Sequence, residues 1–119
     1  MCKIKGITIF GMMVLLCNIA SATTFIVGDI KGWTYNSVGW PNGKSFKAGD
    51  VLVFNYVPKY HNVVVVDKAS YGKCTTPEGA KVYYSGHDEI TLEKGEHFFI
   101  CDFPGHCEGG EMKIAVTVT

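Results

Sequence analysis

Between Phe99 and Met112 the chain places a thiol, an imidazole and a thioether in one short stretch, as Cys101, His106 and Met112. These soft and borderline donors suit copper, and a blue-copper site needs two His, one Cys and a weak axial ligand, often Met. The second imidazole has to come from elsewhere. His61, which precedes Asn62 and the apolar run Val63-Val64-Val65-Val66, is the natural candidate. Two neutral imidazoles and a thiolate accommodate both Cu(I) and Cu(II), and a weak thioether leaves Cu(I) accessible. The donor set therefore points to one copper ion and one-electron transfer.

Other chemistries fit less well. Structural zinc is held by Cys, His and carboxylates rather than by Met. A copper enzyme is disfavoured because four protein ligands leave a lone copper no open position, and no further His cluster suggests a second metal. His87, in the polar stretch Ser85-Gly86-His87-Asp88, reads as a solvated turn residue, and His97 as a packing or surface residue opening the strand that leads to Cys101. Trp33, Trp40, Tyr56, Phe98 and Phe103 read as core or rim aromatics. Lys59 and Tyr60 edge the site or simply form a loop beside His61.

The N-terminus carries the pattern of a secretory signal. Lys3 and Lys5 precede the apolar Ile7 to Ile19, and Ala20-Ser21-Ala22 is a small-x-small cleavage pattern. Residues 1–22 are expected to be removed, leaving one domain over 23–119. The apolar run is shorter than the roughly 20 residues a spanning helix needs, so a secreted, extracellular protein without a membrane anchor is expected. Processing leaves 97 of the 119 residues, with nine lysines, no arginine and eleven acidic groups. Phosphate recognition relies on clustered Lys and Arg, so nucleic acid is not an expected partner. A monomer is expected, with a small molecule or cell-wall component as redox partner. Cys2 and Cys17 leave with the signal; Cys74, Cys101 and Cys107 remain. In an oxidising compartment two of the three pair. Three pairings are possible, and if Cys101 is reserved for metal the pair is Cys74–Cys107.

The elements that must position these residues read as all-β. Short β-prone runs occur at Thr24–Val27, Val51–Tyr56, Val63–Val66, Lys81–Tyr84, Glu89–Leu92, His97–Ile100 and Lys113–Val118, separated by Gly-rich turns. Such spacing indicates a sandwich or barrel. Val63–Val66 is continuously apolar, as in a strand buried on both faces. Ala69 to Cys74 reads as one helical turn.

The chain resembles the phytocyanins, the plant branch of the cupredoxins, and within them the plantacyanin (basic blue) branch. The resemblance spans essentially all of 23–119 and is carried by Gly32-Trp33, Trp40-Pro41-Asn42-Gly43-Lys44, Ala48-Gly49-Asp50, Phe54-Asn55-Tyr56, His61-Asn62-Val63, Gly79-Ala80-Lys81-Val82-Tyr83, Phe99-Ile100-Cys101, Phe103-Pro104-Gly105-His106-Cys107 and Met112-Lys113-Ile114. It implies a cupredoxin-like Greek-key sandwich with copper near one end. It implies His61, Cys101 and His106 as equatorial ligands, with a Cys74–Cys107 disulfide beside the site. It also implies that Asn62 offers its backbone N–H to the thiolate sulfur, a contact of the kind that tunes a metal. An alternative within the same fold is a cell-wall interaction or signalling module in which copper is structural or absent, although an intact ligand set argues against a copper-free one.

Two departures stand out. Plantacyanins are typically basic, whereas residues 23–119 carry more acidic than basic groups. The family pattern also places its axial residue five positions after the loop His, where this chain has Glu111, with Met112 one further on. Gly109-Gly110 could absorb the extra residue as a bulge. Strand parity favours Met112. It shares a face with Ile114, Val116 and Val118, whereas Glu111 shares one with Lys113, Ala115 and Thr117. Met112 is thus the expected axial ligand and Glu111 the alternative.

Overall fold

A computed structural model describes residues 21–119. Most of the expected signal segment, residues 1–20, lies outside the described residues. Among the described residues seven strands are present: β1 Thr24–Ile26, β2 Val51–Asn55, β3 Val63–Val66, β4 Lys81–Tyr83, β5 His87–Thr91, β6 Gly95–Ile100 and β7 Lys113–Val118. One short helix, α1, spans Lys68–Lys73. The strands form a three-stranded sheet ordered β1-β2-β5 and a four-stranded sheet ordered β4-β3-β6-β7. The expected all-β sandwich is observed.

The apolar pattern explains the layering. β-Branched Val favours pleated backbone, and in β3 alternate side chains serve two cores. Val63 joins the cluster between the sheets, with Trp33, Phe54 and Phe99. Val64 and Val66 join a second cluster with Phe98, Ile100 and the flanking Tyr71 of α1. That is why the run carries no polar residue. Between the sheets, Phe54 meets Trp33 edge-on at 5.1 Å and Phe99 at 5.2 Å. On the other face, Tyr71 lies 5.3 Å from Phe98 and holds α1 against β6.

Helix α1 has clear local causes. Asp67 is its N-cap and accepts from the Ser70 N–H at 2.8 Å, satisfying one of the donors that a helix start leaves free. Lys73 sits in the last turn, where a cation suits the helix dipole. Cys74 then turns left-handed at φ +54°, a common way for a helix to stop.

One sequence expectation is corrected. His87 and Asp88 are not turn residues: they open β5, pairing with Asn55 and Phe54. Their polarity is absorbed by side-chain partners, with Asp88 accepting from the Ser85 and Tyr56 hydroxyls. β4 and β5 belong to different sheets, and the chain crosses between them through Gly86. Gly86 has φ +86°, and a Cβ there would lie 2.8 Å from Pro58 Cγ.

The register brings three chain reversals to one end. β3 runs antiparallel to β6 with Val64 opposite Ile100, and β6 antiparallel to β7 with Ile100 opposite Lys113. The start of β3, the end of β6 and the start of β7 are therefore neighbours. His61, Cys101 and Met112 sit one or two residues from those three points.

Candidate metal centre

Each donor is held by its own loop. The His61 N–H donates to Val57 O at 3.1 Å. Cys101 follows β6, and its N–H donates to Met112 O at 3.0 Å. His106 lies in a tight turn, with its N–H on Phe103 O at 3.0 Å and its O accepting from Met112 N at 2.9 Å. These bonds join the Cys101, His106 and Met112 positions through the backbone.

The three side chains converge. His61 Nδ1 and His106 Nδ1 are 3.1 Å apart, and Cys101 Sγ lies 3.9 Å from the first and 3.5 Å from the second. The centre of this triangle is about 2 Å from all three donors, the length of a first-row metal bond to imidazole nitrogen or thiolate sulfur. Among the described residues this is the one group of three or more His, Cys, Asp or Glu placed to hold a metal ion. Cys101 is fully buried and unpaired, while both imidazoles are half-buried.

The electrostatics suit a cation. Burial, and then the neighbouring His106, push the His61 pKa down, so its imidazole is neutral and keeps a lone pair. Burial pushes the Cys101 thiol up, and Asp102 adds to this, while the backbone N–H groups of Asn62 and Phe103 oppose it. Among the described residues no cationic side chain offsets that burial. A metal ion would, because coordination deprotonates a thiol outright. The Asn62 N–H is the one the family resemblance implies, and Phe103 provides a second that the sequence did not reveal.

Met112 is fully buried and packs in the same cluster as Cys101. Glu111 is exposed. Parity thus describes the faces correctly, although β7 begins only at Lys113. Neither Gly109 nor Gly110 takes a positive φ. Glu111 itself takes the left-handed conformation, at φ +47°, which turns its carboxylate out and Met112 in. Gly110 is needed for space instead, since a Cβ there would lie 2.6 Å from both His106 O and the Tyr35 ring.

The surrounding contacts brace the loops. Asn62 and Asp102 bond reciprocally: Asn62 Nδ2 donates to Asp102 Oδ1 at 2.7 Å, and Asp102 N–H donates to Asn62 Oδ1 at 3.1 Å. Thr76 donates to the other Asp102 oxygen at 2.8 Å, and the Trp33 indole donates to Asn62 O at 2.9 Å. Cys74 and Cys107 form a disulfide, fixing the end of α1 to the residue after His106. Tyr35 bonds His106 Nε2 at 3.1 Å, and the Phe103 ring lies 5.6 Å from that imidazole. Asp102, Thr76 and Tyr35 were not legible in the sequence. No motif marks them, and Tyr35 is 71 positions from its partner.

The remaining candidates lie elsewhere. His87 is exposed, with Nδ1 on Asn55 Oδ1 and Nε2 3.1 Å from Glu89. His97 bonds Glu93 O at 2.6 Å. Tyr60 is exposed.

Comparison with known proteins agrees with this geometry. A family model described as a plastocyanin-like domain matches residues 33–111. A basic blue protein of Arabidopsis thaliana is 59% identical over 113 residues, covering 93% of this chain and 87% of that one. A chemocyanin of Lilium longiflorum is 52% identical over 105 residues, covering 88% of this chain and 82% of that one. The solved structure of cucumber basic protein, a blue copper protein, superposes with a TM-score of 0.80 at 55% identity, covering 82% of this chain and all of that one. A buried free thiol between two imidazoles, on a two-sheet frame shared with these proteins, places the chain in the phytocyanin family of plastocyanin-like proteins, with basic blue proteins among its relatives.

Proposed function

We propose that this protein is a one-electron carrier holding one copper ion through His61, Cys101 and His106, with Met112 as the weak axial ligand. The observation that carries the reading is the triangle of Nδ1, Nδ1 and Sγ around a buried, unpaired thiol. When bound, copper would supply the Cu(I)/Cu(II) couple. The chain's own contribution is to hold the donors in place. The disulfide, the Asn62–Asp102 pair and the backbone bonds among Cys101, His106 and Met112 fix the loops without any help from the metal. Such preorganisation keeps reorganisation on electron transfer small. Met112 is fully buried in the same cluster as Cys101, and a copper held by it and the three other donors would keep no ligand position for substrate, which supports a carrier rather than an enzyme.

The reading includes secretion after cleavage between Ala22 and Thr23. In its support, the Thr23 backbone nitrogen lies 2.9 Å from Oδ1 of the buried Asp50. Cleavage there would turn that amide donor into an ammonium and give the carboxylate a full positive partner. No helix of the described residues is long and apolar enough to cross a membrane. The chain would act as a monomer, exchanging electrons with a small molecule or cell-wall component in brief encounters at the His106 end.

An optical and EPR spectrum of the Cu(II)-loaded protein tests the reading. An intense thiolate-to-copper band is expected. A protein that takes up no copper, or binds it without that band, would leave the signalling or interaction module as the better account.

A further inference from the structure

Tyr35 stands across the outer edge of the donor triangle. Its hydroxyl is 3.1 Å from His106 Nε2, the ring nitrogen that does not face Cys101. Its ring meets both imidazoles edge-on, with centroids 5.5 Å from His61 and 4.9 Å from His106. The loop that carries it is tied to the ligand loop by the backbone. Asn36 N–H donates to Gly110 O at 2.7 Å, and Ser37 N–H donates to Glu111 O at 3.1 Å. The ring also occupies the space that any side chain at position 110 would fill.

We propose that Tyr35 is a positioning residue for His106, acting through its hydroxyl. A neutral imidazole carries one proton, on either nitrogen. The phenol oxygen accepts the Nε2 proton, so the Nδ1 lone pair is left facing Cys101 and His61. Without that acceptor the proton is free to move to Nδ1. There it points at His61 Nδ1, 3.1 Å away, and blocks the metal. The half-buried His61 cannot substitute for His106, because both lone pairs are needed. This role rests on the copper-site reading, and it gives the exposed tyrosine a function distinct from packing.

The test uses Tyr35→Phe, which keeps the ring and deletes the oxygen. Partners of this type are worth roughly 10–100-fold in metal affinity, and a bond this exposed belongs at the lower end, because water replaces part of it. Zn(II) is titrated into the metal-free protein against a chromophoric chelator. The His106 tautomer is read in the same metal-free protein from its ring 15N shifts, and stability is followed by chemical denaturation. For Tyr35→Phe, about tenfold weaker Zn(II) binding, a mixed His106 tautomer and an unchanged unfolding midpoint are expected. Tyr35→Leu, which also removes the ring, should lower the midpoint as well. An Nε2-protonated His106 in Tyr35→Phe would overturn the proposal, as would affinity within twofold of the unaltered protein. So would an affinity loss accompanied by an equal loss of stability. If the unaltered protein binds no metal, the copper reading fails, and the tautomer measurement still decides the role of Tyr35.

Discussion

Met112→Gln and Glu111→Gln place the same side chain at adjacent positions with opposite surroundings. Met112 has no solvent exposure and lies among Cys101, Phe99 and Ile114. Glutamine there is close in length but must bury an amide. Without a partner that costs about 1–3 kcal/mol, and each kcal/mol moves the melting midpoint of a domain this size by about 4–8 °C. The metal-free Met112→Gln protein should show the whole loss. The copper-loaded protein should show less, because the amide oxygen gains the metal as a partner. That oxygen is a harder donor than the thioether and favours Cu(II), so the reduction potential should fall markedly. Glu111 is exposed, and its left-handed backbone points the side chain away from the triangle. Glu111→Gln should change stability by less than about 0.5 kcal/mol and the potential only through a charge screened over a Debye length of about 8–10 Å. Denaturation of both forms, together with voltammetry of the loaded form, reads all four quantities. A larger shift in potential from Glu111→Gln than from Met112→Gln would make Glu111 the axial ligand and refute the reasoning.

Glu111→Gly should stabilise the fold by about 1 kcal/mol, because a non-glycine residue at a left-handed φ carries roughly that strain; the copper spectrum should not change. Cys101→Ser should abolish the thiolate band while the metal-free protein keeps its far-UV spectrum and a cooperative transition, since the sandwich core and the disulfide remain. Peptide mapping should find Cys74 paired with Cys107, and replacing both by alanine should cost about 3–4 kcal/mol for their 33-residue separation, read from denaturant midpoints. Burial alone would raise the Asp50 pKa, but the Thr23 and Lys47 backbone N–H groups and the Lys47 charge overcome it and hold the carboxyl below its usual range. Its contribution is therefore complete above the unfolded value of about 3.9 and fades as pH falls through the lower folded value. Asp50→Asn should flatten the acid limb of the stability–pH curve.

Where hydrophobic pattern and burial coincide, the sequence foretells the structure. Val63–Val66 and Lys113–Val118 are strands with the bounds read from it, because β-branched runs between polar turns admit no competing period. The helical turn near Ala69 also forms, though it starts at Lys68 behind the Asp67 cap. The errors cluster where polar residues are satisfied by distant partners. His87 and Asp88 look like turn residues until Asn55, Tyr56 and Ser85 are seen to receive them. The placement of β4 and β5 in separate sheets depends on pairings 16 and more residues away, which no local pattern encodes.

The site divides along the same line. Its donors were legible because thiol, imidazole and thioether are scarce and chemically distinctive, and because the spacing of Cys101, His106 and Met112 is short. Its supports were not, because an aspartate, a threonine and a tyrosine are ordinary residues that become specific only through geometry. Yet those supports explain why the donors stay together in the folded chain. Two imidazole nitrogens 3.1 Å apart, beside a thiol, can share at most one hydrogen bond. They are held there by Asn62 and Asp102 joining the His61 and Cys101 loops, by the disulfide anchoring the His106 turn, and by the Tyr35 loop closing over Gly110. The frame therefore consists of contacts that involve no metal, and stability drawn from the sandwich helps to keep the donor set in place. That division also sets the expected pattern of mutational effects. Changes to the donors should alter colour and potential with modest loss of fold, whereas changes to the supports should alter affinity and kinetics while leaving the colour recognisable.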